Sequence, residues 1–199
     1  VKLENHPRFQ IYKSISDFLV RDLESCRYHL ERFAHLNSMG ETKNLSKNNL
    51  QFCNAFYEIL KTLVQNLSSD NMKTNNDNLK TKNEVFHFGE SHCLSFAHRS
   101  IAHKSFQTHI TPVITFGAKA FHFSTLENNN FKAITLQNLN RIPRNSDVYL
   151  SFGEIDCRLS EGIIVAQKKT NIEIKTLIEK TVNGYVDWFL DSNTQNNHS

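Results

Sequence analysis

Three short stretches hold the residues whose types and spacing can do chemistry. Residues 83–97 read NEVFHFGESHCLSFA, and place Ser91 and His92 just after Gly89. Residues 112–124 read PVITFGAKAFHFS, and place Lys119 and His122 just after Gly117. Residues 147–158 read DVYLSFGEIDCR, and deliver Glu154, Asp156, Cys157 and Arg158 after Gly153. A serine hydroxyl attacks an acyl carbon once a neighbouring base takes its proton. Ser91 is therefore a candidate nucleophile, and equally a helix cap. His92 follows it directly and projects differently, which suits a packing or hydrogen-bonding partner better than the base. Glu154, Asp156 and Arg158 suit either a polar substrate or an ion-paired cluster that orders their own loop. Lys119 and His122 line the same cleft, or His122 fills one face between Phe121 and Phe123.

The elements that position these residues follow from the same stretches. Each begins with an aromatic and β-branched run of strand type and stops at a glycine. Three such runs predict parallel strands whose loops converge on one edge. Ligands of open α/β sheets bind at that edge, where helix N–H groups favour negative charge. Apolar Leu94, Phe96, Ala97 and Ile101 predict a helix after the first strand.

The pattern resembles the SGNH (GDSL-like) hydrolase superfamily over residues 84–191. Gly89-Glu90-Ser91-His92 is similar to its first block, Gly117 falls where the second-block glycine lies, and Gly153-Glu154-Ile155-Asp156 resembles the third block, Gly-x-Asn-Asp. The resemblance implies a flavodoxin-like three-layer α/β fold and ester chemistry on an acylated carbohydrate or similar small substrate. Ser91 is then the nucleophile, and the backbone N–H groups of Ser91 and Gly117 stabilise the oxyanion. Ile155 stands where the family has an asparagine donor, and an isoleucine side chain donates no hydrogen bond. The family's late Asp-x-x-His block has no counterpart, because Gln195 stands three residues before His198. A binding domain that keeps the cleft without the chemistry is the alternative. A third class is a helical module that recruits a partner protein.

The rest of the chain reads in order. Ile11, Ile15, Phe18, Leu19, Leu23, Cys26 and Leu30 keep three-and-four spacing, which predicts one helix from Phe9 to about Leu36. Leu50 to Leu67 predicts a second, so residues 1–68 read as a helical hairpin, a possible end of a helical-repeat region and a surface for a protein partner. Residues 69–83 are polar and rich in Asn and Lys, and read as a linker. Residues 84–199 form the α/β domain. Within it, Phe131 to Ile142 predicts a crossover helix, Ser160 to Phe189 a long helix weakened at Gly162 and Gly184, and 192–199 a polar tail.

Composition excludes several classes. The 199 residues carry a net charge of +3 with no clustered basic run, too mild for nucleic acid. No apolar run approaches the roughly 20 residues that span a bilayer. Cys26, Cys53, Cys93 and Cys157 lack metal or disulfide spacing, so neither a metal nor another cofactor is expected, Cys93 and Cys157 read as buried thiols, and a reducing, cytoplasmic setting is the default. Asn44-Leu45-Ser46 and Asn66-Leu67-Ser68 match a glycosylation pattern that so asparagine-rich a chain produces by chance. With three strands and no late histidine in view, the sequence also predicts that a further strand and the base lie beyond Ser199.

Overall fold

The computed structural model describes residues 3–70, 82–103, 106–194 and 196–199. It divides into two compact units, Val1–Leu79 and Lys80–Ser199. Most of the linker expected at 69–83 lies outside the described residues.

The first unit is built from helices α1 (Pro7–Leu19), α2 (Leu23–Ser38) and α3 (Lys47–Asp70). Pro7 opens α1, where its fixed φ is already helical and its missing N–H costs nothing. Ile11, Phe18, Cys26, Phe33, Cys53 and Leu60 from the three helices are fully buried and form the core. The single helix expected from Phe9 to Leu36 is two helices, so among the described residues the unit has three α-helices rather than a hairpin. Arg21 takes a left-handed φ of 62° at the break, and Asp22 restarts the chain by accepting the Ser25 N–H at 3.0 Å. Both helices face one core, so apolar spacing runs through the break unchanged. The stop is marked only by the capping aspartate, with no glycine or proline.

The second unit is a mixed α/β fold around a four-stranded sheet in the order β2-β3-β1-β4. Its strands are β1 (Lys82–Gly89), β2 (Ser100–His103), β3 (Phe106–Ile114) and β4 (Asp147–Ser151). β1 runs parallel to both β3 and β4, and β2 pairs antiparallel on β3 at the edge. The sequence predicts three strands, all parallel, and a helix in place of β2. Residues Ser91–Phe96 instead form a short 3₁₀ turn. His98 then takes φ 60°, its N–H bonds the Ile110 carbonyl at 2.8 Å, and the chain joins β3. Sheet hydrogen bonds outweigh a helical pattern only two turns long. Pro112 sits in β3 beyond the end of the β2 pairing, so β2 loses no donor to it.

Alternation along β1 sorts its side chains. Phe86 and Phe88 pack into a core with Phe123 of α4 (Ala120–Ser124), Leu139 of α5 (Asn130–Leu139), Phe152, and Phe189 of α7 (Ile174–Asn193). Val85 and His87 face the other way, onto a groove that no residue of these helices lines. The long helix expected from Ser160 is α6 (Ile163–Thr170) followed by α7, parted at Asn171 with φ 55°. Gly184 does not interrupt α7. An added Cβ there would lie 2.8 Å from the Ser124 side chain and carbonyl, so the glycine lets α4 and α7 touch.

The residues read as a polar tail are partly buried. Asn196 and His198 are each 8% exposed, and His198 Nε2 donates to the Leu139 carbonyl at 3.2 Å. Val148 N–H donates to Ser199 O at 2.7 Å, and Ser199 N–H to Ser146 O at 3.1 Å. Polar side chains and backbone thus occupy part of the outer edge of β4, whose unpaired groups need partners. Among the described residues, no helix is long and apolar enough to cross a membrane.

Candidate functional site

Parallel pairing sets Gly89 abreast of both Ile114 and Ser151. The loops after β1, β3 and β4 therefore leave the sheet at one level and one edge, bearing Ser91, Gly117 and Glu154 respectively. Gly89 is required there by space. A Cβ would meet Ser151 Oγ at 2.5 Å and Cys93 Cβ at 2.9 Å. Gly117, with φ +68°, makes the turn out of β3 in open space.

One cluster centres on His92. Its Nδ1 lies 3.0 Å from Glu90 Oε2 and 3.7 Å from Glu154 Oε2. Glu90 is 1% exposed and also accepts the His92 N–H at 3.1 Å. Arg158 clamps Glu154 through Nη2 at 2.8 Å and Nε at 3.1 Å, and reaches Glu161 through Nη1 at 2.8 Å. Those hydrogen bonds hold the Glu154 and Glu161 carboxyls below the usual range and raise the Arg158 guanidinium. Ser91 stands between Glu90 and His92 in the chain, but among the described residues no hydrogen bond joins its hydroxyl to an imidazole.

The other expected residues gather one loop away. Asp156, 4% exposed, accepts the Ala120 N–H at 2.7 Å and the Phe121 N–H at 3.2 Å. It ties the loop after β4 to the start of α4. His122 Nδ1 accepts the Lys119 N–H at 2.9 Å, and its ring stacks on Phe131 with centroids 4.0 Å apart. Lys119 Nζ donates to the Glu161 carbonyl at 2.9 Å. Lys119, His122, Asp156 and Glu161 line a depression of about 290 Å³. Glu161 is the link between this depression and the Arg158 clamp. Ile155 is buried, and Cys157, expected to be buried, is exposed, because the 3₁₀ turn Ile155–Cys157 turns it outward from Ile155 and Asp156.

Sequence reasoning gave no role to Glu90, His87 or Ser151. His87 Nε2 lies 2.8 Å from Ser151 Oγ, in a groove of about 560 Å³ lined also by Phe96, Ile101, Ile110, Tyr149 and His92. The period-two alternation of β1 was the available signal, since it separates His87 from Phe86 and Phe88.

No family model, curated protein or solved structure matches the chain.

Burial lowers the basicity of His87 and His122. For His87 desolvation outweighs the opposing pull of Glu90; for His122 desolvation and Lys119 outweigh Asp156. Both folded-state pKa values lie below the unfolded value of about 6.5. The unfolded chain therefore binds more protons below that pH, and stability falls as pH drops from about 6.5 through the folded values. The urea midpoint should fall between pH 7.5 and 5.5, and a His87→Gln/His122→Gln variant should show a flatter profile. An unchanged slope in that variant would assign the dependence to other groups.

Proposed function

We propose that residues 82–199 form an SGNH-like domain that hydrolyses or transfers the acyl group of an acylated carbohydrate or similar small substrate. The observation that carries this reading is the register of β3, β1 and β4, which brings the three glycine-ended loops to one edge with Ser91 in the first of them. In this reading Ser91 supplies the nucleophile and the Ser91 and Gly117 N–H groups face the oxyanion. His92, Glu154 and Arg158 contact the substrate's polar groups, and Lys119, His122 and Asp156 hold the neighbouring wall. The exposed faces of α1 to α3 are the surface for a protein partner, and a cytoplasmic setting suits the free thiols.

A second reading has its own support. Ser91 lacks an imidazole partner among the described residues, and Ile155 is buried where the family places a donor. Both features suit a domain that binds the same substrate class without turning it over. A fluorophosphonate probe separates the two. Labelling of the wild-type chain that Ser91→Ala abolishes, with folding intact, supports the catalytic reading. Equal labelling of both forms rejects Ser91, and labelling of neither selects the binding domain.

A further inference from the structure

We infer that Glu90, His92 and Glu154 form a divalent-cation site at the edge of the sheet. One ligand atom from each residue lies within 4.8 Å of the others. Ligands held at about 2.0–2.2 Å from one ion stand up to about 4.4 Å apart, so shifts of a few tenths of an ångström close the set. The His92 Nδ1 separations of 3.0 and 3.7 Å already lie within that span.

A second observation points to a ligand. Glu90 is 1% exposed, and while its Oε2 belongs to the cluster, its Oε1 is buried with no hydrogen-bond partner. A buried carboxyl oxygen without a partner is costly, and an ion beside Oε2 also lies within reach of Oε1. The local charge favours a cation as well. Glu90, Glu154 and Glu161 are three carboxyl groups against the two basic side chains Arg158 and Lys119. Arg158 Nη2 donates to the same Glu154 Oε2 at 2.8 Å and so fixes the position of that carboxylate. The remaining ligands are waters, which leaves open positions on the ion.

Two carboxylates and one imidazole suit manganese or zinc better than magnesium or calcium. The ion's part in the acyl chemistry rests on the reading above. A cation at this edge stabilises negative charge on an acyl oxygen, the task for which Ile155 has no donor. The site itself does not depend on that role.

The test is Mn²⁺ titration of the full chain carrying Cys157→Ser, which removes an exposed competing thiol, followed by electron paramagnetic resonance. One equivalent should bind, and Glu90→Gln, His92→Ala and Glu154→Gln should each weaken it at least tenfold. Paramagnetic broadening should be strongest at the amides of residues 90–92 and 154. Glu154 is exposed, so its variant folds and keeps the test decisive even if Glu90→Gln does not. Equal Mn²⁺ affinity in wild type and Glu154→Gln, or broadening centred elsewhere, overturns the site. Fluorophosphonate labelling reports separately: binding without labelling upholds the site and rejects the catalytic reading, and labelling without binding does the reverse.

Discussion

Gly162→Ala should destabilise the second unit by about 3 kcal/mol or more, at the upper end of what overpacking costs. A Cβ at Gly162 would overlap the Asp156 carbonyl oxygen, lie 2.5 Å from its carbon and 2.9 Å from the Arg158 oxygen. All three neighbours are backbone, so no side chain can rotate away. Gly162 N–H also bonds Arg158 O at 3.0 Å, which fixes the start of α6 under the loop after β4. Relief therefore requires that loop to move, and the Arg158 clamp on Glu154 moves with it. Trp188 is the single tryptophan and packs beside the core of this unit, so its fluorescence in urea reports the loss directly. An unchanged midpoint would mean that α6 is not locked against the loop.

Asp156→Ala should cost about 2–4 kcal/mol, because a buried acceptor leaves two backbone donors of α4 without partners. Asp156→Asn keeps one acceptor oxygen and should fall between. Glu161→Ala, on the exposed side of the same loop, should leave the midpoint unchanged. The comparison separates two roles that sequence left open for Asp156, substrate contact and ordering of its own loop. If Asp156→Ala unfolds at the wild-type midpoint and only ligand binding suffers, the residue belongs to the substrate side.

Much of this architecture was legible before any coordinates. Aromatic and β-branched runs ending in glycine marked β1, the end of β3, and β4, because a strand of this type and a turn leave local signatures. The convergence of their loops followed from parallel pairing, and the register shows it. Amphipathic spacing found the helical residues of α1, α2, α3, α5 and α7 for the same reason.

What sequence did not reveal was settled by contacts distant along the chain. The break at Arg21 has no local mark beyond the capping Asp22 and the antiparallel β2 has none, since one continues a helical stripe and the other takes its hydrogen bonds from β3. The burial of Asn196 and His198 depends on the open edge of β4, which no reading of eight polar residues contains. Glu90 is the clearest case. Its place beside Ser91 was plain from the motif, but its burial and its approach, through His92, to Glu154 depend on β1 lying against β4. A carboxyl group's neighbours across a sheet are set by register, and only the tertiary structure decides which residues those are.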